Sequence, residues 1–168
     1  MLTENIITER LELRDMTKGD AQEVYEIWST EENSKYMCDP VESVEEVKGI
    51  FQSTEPRIGY LLVVTDKDSK EIIGTICSGP TSDPSEWGFG YSFKKSVWGK
   101  GYATETVRAI MELGMSEGIS KFISECAAEN EGSARVLIKC GMVFDHKSSL
   151  KQPLLDVVYE SHVYKMTV

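Results

Sequence analysis

Apolar and polar positions recur along the chain with a period of two in some stretches and about 3.6 in others, which separates strands from helices. Thr8-Glu9-Arg10-Leu11-Glu12-Leu13-Arg14 alternates, as a strand with one buried face does. Thr17 then caps a helix whose apolar positions Ala21, Val24, Tyr25 and Trp28 line one face. A polar, acidic connection from Ser29 to Val41 leads to Ser43-Val44-Glu45-Glu46, a capping box opening a second helix that runs to about Ser53. Tyr60-Leu61-Leu62-Val63-Val64 predicts a buried strand, Asp66 to Lys70 a turn, and Ile72 to Cys77 the hairpin partner. The loop from Ser78 to Pro84 is too short to link two domains. Glu86-Trp87-Gly88-Phe89-Gly90-Tyr91-Ser92-Phe93 alternates again. Ala103, Val107, Ile110, Met111 and Gly114 predict a long helix from about Tyr102 to Glu117, ended by Gly118. Phe122 to Cys126 reads as a strand, and Asn130 caps a helix that buries Val136, Leu137 and Cys140 and stops at Gly141. Closing strands are expected over Met142 to Asp145 and Leu154 to Thr167. There are no repeats or low-complexity segments, so residues 1–168 are expected to form a single domain.

The net charge is −10, which argues against nonspecific nucleic-acid binding. Residues 1–56 carry 14 acidic and 5 basic side chains, whereas residues 57–168 carry 14 and 13. Such a negative lobe is either a solvated helix surface or a field that draws in a cationic amine. No apolar run approaches the roughly 18–20 residues of a membrane helix, and the first residues lack a signal-peptide pattern, so a cytoplasmic protein is expected. Cys38, Cys77, Cys126 and Cys140 form no C-x-x-C and read as buried reduced thiols. With only His146 and His162 beside them, no metal site is expected.

Chemistry concentrates where the alternating aromatic stretch meets the long helix, at Trp98-Gly99-Lys100-Gly101-Tyr102-Ala103-Thr104-Glu105. The first N–H groups of a helix lack intrahelical acceptors, and its dipole favours an anion there. Glycines let the backbone approach a phosphate closely, and Lys94, Lys95 and Lys100 add positive charge. Neither G-x-x-x-x-G-K-[ST] nor G-x-G-x-x-G is present. The loop instead resembles the [Q/R]-x-x-G-x-[G/A] pyrophosphate loop of the GNAT N-acetyltransferases, with Trp98 replacing the usual Gln or Arg. W-G-K-G-Y-A-T-E is similar to the RimJ/RimL branch, as is the T-x-R-L-x-L-R opening at Thr8, and Asp156-Val157-Val158-Tyr159 resembles that branch's D-V-x-x-Y run. A second block, Asn130-Glu131-Gly132-Ser133-Ala134-Arg135-Val136-Leu137, looks like that branch's N-x-x-S block.

This resemblance implies an α/β (α+β) GNAT fold: a mixed central sheet with a splayed parallel strand pair, flanked by about four helices. It implies acetyl-CoA as cosubstrate, with its pyrophosphate at Trp98 to Thr104 and its pantetheine arm paired along Tyr91, Ser92 and Phe93 like an added strand. Asn130 would bond that arm, and Ser133 would protonate the departing thiolate; as a plain alternative, Ser133 is a first-turn helix serine. Tyr159 and Tyr164 are spare candidates for the same step. Relatives carry a Glu-x-Gly-Tyr strand, but Gly88 stands at the glutamate position here. Glu86 lies two residues earlier, about 7 Å along the strand, and either acts through a water or leaves the enzyme without a dedicated base. An α-amino group near pKa 8 needs less help than a lysine amine at about 10.4. The expected activity is direct acetyl transfer to a primary amine, either a protein N-terminus or a small cationic amine. Rival readings are a noncatalytic acyl-CoA sensor and a generic nucleotide binder. Family precedent walls the acceptor site with the segment between the first two helices and leaves a homodimer open.

Overall fold

Leu11 and Leu13 are fully buried while Glu12 and Arg14 are not, so the alternation expected near the N-terminus is real but shorter than expected. The computed structural model describes residues 1–37, 40–51, 59–152 and 155–168. Eight strands form one sheet: β1 (Ile6–Ile7), β2 (Leu11–Asp15), β3 (Tyr60–Asp66), β4 (Ile72–Pro80), β5 (Glu86–Phe93), β6 (Lys121–Ala127), β7 (Val143–Gln152) and β8 (Val157–Thr167). Their order is β1-β2-β3-β4-β5-β6-β8-β7, and every pairing is antiparallel except that of β5 with β6. The helices are α1 (Ala21–Trp28), the single turn α2 (Glu31–Ser34), α3 (Val44–Gly49), α4 (Tyr102–Ser116) and α5 (Glu131–Lys139). Among the described residues no helix is long and apolar enough to cross a membrane.

Helices pack on both faces of the central strands. Val107, Ile110 and Met111 of α4 and Leu137 of α5 join Trp87, Phe89, Phe93 and Phe122 in the larger core. On the opposite face Val24, Ile27 and Trp28 of α1 pack with Val47, Val63 and Ile72. Trp28 donates its indole N–H to Thr75 Oγ1 at 2.8 Å, so a buried polar pair fixes α1 to β4.

Several boundaries differ from expectation for identifiable reasons. Residues 8–10 are not strand: Thr8 N–H bonds to Leu11 O at 2.9 Å, making a turn that aims Thr8 and Arg10 elsewhere. The connection after α1 contains α2, which buries no residue and so leaves no apolar periodicity to read. Ser43 does cap α3, accepting from Glu46 N–H, but Glu46 reaches back to Glu42 N–H rather than Ser43. The expected end of that helix at Ser53 lies outside the described residues, as do Cys38 and the start of the last strand at Leu154. β7 runs to Gln152 rather than Asp145, since it is exposed on both faces for most of its length and held by its ladder to β8.

Two features set testable stability terms. Asp20 is nearly buried and receives Arg14 Nη1 and Nη2 at 2.8 and 2.7 Å, Thr17 N–H at 2.7 Å and Thr17 Oγ1 at 2.8 Å. Burial pushes its carboxyl up, but the Arg14 guanidinium and Thr17 outweigh that and hold it at about 2, below its ordinary 3.8. A depressed carboxyl stabilises the fold above its unfolded pKa, so this contribution, about 2 kcal/mol, is present at neutral pH and lost as pH falls from about 4 to 2. Urea unfolding of the parent and Asp20→Asn should differ at pH 7, by about half as much near pH 3, and converge only below about pH 2; a difference independent of pH would refute the assignment. The second feature is Gly114, where a Cβ would sit 2.8 Å from Phe122 Cε1 and 3.1 Å from Trp87 Cε3. Gly114→Ala gains about 1 kcal/mol of helix propensity but overpacks the α4–sheet contact at a cost of roughly 1–3 kcal/mol. Thermal melts should therefore show a lower Tm for the variant, where a solvent-facing site would show a higher one.

Candidate active site

The parallel ladder between β5 and β6 has three rungs, Glu86↔Lys121, Trp87↔Phe122 and Gly88↔Ile123, and then opens. Peptide groups of successive strand residues point to opposite neighbours, and Lys94 N–H points to Ile73 O in β4. Those of Phe89, Tyr91 and Phe93 therefore point toward the opening. Ser124 Oγ, on β6, donates to Phe89 O at 2.8 Å and closes the first gap. Phe93 O accepts from Trp98 Nε1 at 2.9 Å and Asn33 Nδ2 at 3.1 Å. Between them, the N–H and C=O of Tyr91 face the split. Ser92 pairs with Thr75 on the β4 side.

At the far end of β5 the chain makes one 3-10 turn over Lys95–Val97 and enters the glycine loop. Gly99 has φ +75 and Gly101 φ +85, the left-handed region that side chains rarely adopt. The first bond of α4 runs from Glu105 N–H to Gly101 O at 3.0 Å. Among the described residues, the N–H groups of Gly99, Lys100, Gly101, Tyr102, Ala103 and Thr104 meet no acceptor. Unpaired donors at a helix start are groups that an anion such as a pyrophosphate can use. Of the three lysines expected to help, Lys94 is paired with Glu71 and Lys95 with Glu32, while Lys100 has no carboxylate partner among the described residues.

The loop's shape is fixed by residues whose part was not evident in the sequence. Glu105, in the first turn of α4, accepts from Thr8 Oγ1 at 2.6 Å, Arg10 N–H at 2.9 Å and Arg10 Nε at 2.7 Å. Arg10 Nη1 also donates to Lys100 O at 2.9 Å, and its guanidinium lies 4.3 Å over the Tyr102 ring. Tyr102 OH completes the clamp by donating to Asp66 Oδ2 at 3.0 Å. Burial raises the Glu105 carboxyl, but Thr8 and Arg10 outweigh that and hold it below its usual range.

Across the split, Asn130 caps α5 by accepting Ser133 N–H at 3.1 Å. Ser133 Oγ makes no hydrogen bond among the described residues, leaving its hydroxyl free to serve a ligand. Tyr91 OH reaches over from β5 and donates to Ser133 O at 3.3 Å, a link missed in the sequence. Burial keeps that phenol neutral and raises its pKa. Tyr164 is buried in the core, and Tyr159 packs edge-on against Tyr36, 5.8 Å between centroids.

Glu86 begins β5, and its Oε1 accepts from Thr81 Oγ1 at 3.0 Å, which turns the carboxylate toward the β4–β5 hairpin. A Cβ at Gly88 would meet only ordinary contacts, Thr81 Cγ2 at 3.5 Å and Ile123 Cγ2 at 3.8 Å, so packing does not demand glycine there. On the α3 side of β4 and β5 lies an open cleft of about 430 Å³, lined by Ile50, Leu61, Cys77, Gly79, Gly88 and Gly90. The register pairs Cys77 with Gly90 and Gly79 with Gly88, so absent side chains deepen the floor beside the last ladder rung. Cys77 is exposed rather than buried as expected, because it faces this cleft; Cys126 is buried and Cys140 half-buried.

Comparison with known proteins gives the same reading. A family model described as an acetyltransferase (GNAT) domain matches residues 10–143. An uncharacterized N-acetyltransferase, YnaD of Bacillus subtilis, is 31% identical over 139 residues, 82% of each chain. The crystal structure of a GNAT-family acetyltransferase from Bacillus anthracis superposes with a TM-score of 0.84 at 23% identity, covering 98% of both chains. RimL, a ribosomal L7/L12 α-N-protein acetyltransferase solved with coenzyme A, superposes with a TM-score of 0.82 at 16% identity over 98% of both chains. With a split sheet, a glycine loop of unpaired N–H groups at a helix start and a matching family model spanning both, the chain belongs to the GNAT family of acetyltransferases.

Proposed function

We propose that the enzyme transfers acetyl from acetyl-CoA directly to a primary amine, in the manner of the RimJ/RimL branch, with a protein N-terminus or a small cationic amine as acceptor. The observation that carries this reading is the pair of unsatisfied backbone surfaces along one strand: Tyr91 in the split and the N–H groups of residues 99–104 at its end. Pantetheine and pyrophosphate are joined in one molecule, and these two surfaces lie in that order. The branch assignment is supported by the two sequence blocks and by the likeness of fold to RimL.

In this reading the neutral amine attacks the thioester carbonyl, the C–S bond breaks, and coenzyme A leaves as a thiolate. Ser133 gives that thiolate a proton and regains one from solvent, while the amine's own proton passes to water. Asn130, its Oδ1 engaged in capping, offers Nδ2 to the cofactor arm. The Tyr91 N–H is a donor suited to the developing oxyanion. Glu86 acts on the acceptor only through water, since Thr81 already holds it. The cleft over Gly88 and Gly90 receives the acceptor.

Two experiments test this. Gly101→Ala forces an L side chain to φ +85 and brings a Cβ to 3.4 Å from Arg10 Nη2. The left-handed region costs roughly 1–2 kcal/mol for such a residue, so calorimetry should show acetyl-CoA affinity falling about tenfold. Lys100→Gln removes only an exposed charge and should lose about fivefold or less, more at low salt. Parent-like binding by both variants would remove the loop from the cofactor site.

The second experiment separates the candidate catalytic residues. Ser133→Ala should lower kcat by ~10²-fold or more at nearly unchanged acetyl-CoA affinity. Glu86→Gln should lose less, and its deficit should shrink from pH 6 to 9 as more of the acceptor amine becomes neutral. Abolished turnover in Glu86→Gln at every pH, beside a silent Ser133→Ala, would exchange the two roles.

A further inference from the structure

Next to the start of α5, three elements converge on one ammonium group. Lys35, just after α2, places its Nζ 2.8 Å from Glu129 Oε1, in the turn between β6 and α5. The same nitrogen lies 4.9 Å from the Tyr36 ring centroid and 5.8 Å from that of Tyr159, on β8. The two rings meet at 64°, and Tyr36 OH donates to Glu129 Oε1 at 3.2 Å. Gln152 Nε2 donates to Ser34 O at 3.0 Å, which ties the end of β7 to α2 and holds the β7–β8 arm over this group. Two aromatic walls and a carboxylate within such distances are what a cation requires.

We propose that Tyr36, Tyr159 and Glu129 form a docking cage for an ammonium group of the acceptor, and that Lys35 is a resident self-ligand which the acceptor displaces. Its occupant is the second, non-reacting ammonium of a diamine. A carboxylate and two π faces favour the charged form of whatever they hold, whereas attack on a thioester needs the neutral form. The amine in the cage is therefore not the one acetylated. Glu129 directly precedes Asn130, whose cap bond reaches Ser133, so the cage's carboxylate residue lies four positions before the proposed thiolate donor. A diamine with a few methylenes between its nitrogens spans that separation.

Displacement of Lys35 is inexpensive. Its side chain is 39% exposed and that of Glu129 53%, and an ion pair open to solvent contributes little. Released into water, the lysine stem regains rotamer freedom. The electrostatics agree in direction: the Glu129 carboxylate raises the Lys35 ammonium, and Lys35 lowers Glu129. A latch that merely fastened α2 to the β7–β8 arm makes the opposite prediction, because removing Lys35 would then weaken the site.

The acceptor role rests on the acetyl-transfer reading, but the cage does not, so it is tested first with an ion that cannot be acetylated. Tetramethylammonium is titrated into the parent, Lys35→Ala, Lys35→Ala/Tyr159→Leu and Lys35→Ala/Glu129→Gln, each checked for a cooperative melt, with tyrosine ring resonances as readout. Lys35→Ala should bind the ion about fivefold more tightly than the parent, and each double variant should lose about tenfold against Lys35→Ala. Equal or weaker binding by Lys35→Ala overturns the cage. Steady-state kinetics with acetyl-CoA then compare 1,4-diaminobutane with butylamine. Lys35→Ala should lower KM for the diamine about fivefold while leaving kcat and the butylamine KM unchanged, and Tyr159→Leu should raise the diamine KM more than the butylamine KM. If both amines shift together, the acceptor role falls although the cage stands. Should the parent acetylate no amine while still binding acetyl-CoA, the acetyl-transfer reading falls, again without touching the titration result.

Discussion

A strand that turns its peptide groups toward a gap must find them partners, and in this sheet β5 is made to do so after three rungs with β6. The rest of the site follows from that constraint. Ser124 Oγ, Trp98 Nε1 and Asn33 Nδ2 satisfy the carbonyls on either side, each from a different element. What they leave uncovered among the described residues is the peptide group of Tyr91, with the Phe93 N–H beside it. A split with no such stoppers would expose unpaired carbonyls to a core, at about 1–3 kcal/mol each, so the stoppers both permit the opening and limit it. Trp98, which departs from the family's usual Gln or Arg, contributes here through its indole N–H rather than through charge.

The glycine loop depends on a second constraint, imposed from far away in sequence. Two left-handed glycines make the loop pliable, and a pliable loop binds weakly because its ordering must be supplied on binding. Glu105 removes that freedom by gathering Thr8 and Arg10, while Arg10 spans Lys100 O and the Tyr102 face. The ion pair is half-buried, and several bonds converging on one carboxylate fix its geometry better than a lone surface pair would. The N-terminal turn and the start of α4 thus behave as one body, with six N–H donors held on its surface.

Much of this was legible in the sequence, and the boundary of legibility has a physical basis. Periodicity reports burial, so α4 and β5 were readable nearly residue by residue, and the β3–β4 hairpin in its core, although β3 continues to Asp66 and β4 to Pro80, into the expected turn and loop. The glycine loop was readable because only glycine tolerates φ near +80 at Gly99 and Gly101. β7 was cut short because both its faces meet solvent and its sequence records no alternation. α2 was missed for the same reason. Thr8 and Arg10 alternated with apolar neighbours as a strand would, but their partner Glu105 lies 97 and 95 positions away, and nothing local distinguishes a clamp from a strand face. Glu86 was correctly put on the face of Gly88, yet its attachment to Thr81 belongs to hairpin geometry that composition does not carry.

The open position at Gly88 bears on how little the chemistry asks of a base. Room exists for a side chain there, so glycine is not a packing necessity, and its presence deepens the cleft over Gly79 and Gly90. A carboxylate at that point would lower the barrier to deprotonation of a bound amine but would fill the floor of that cleft. The two demands compete for the same few cubic ångströms. With positioning worth as much as ~7–11 kcal/mol in well-oriented reactions and a general base about 3–5, a site that gives up the base to improve the fit still retains the larger share of its rate enhancement.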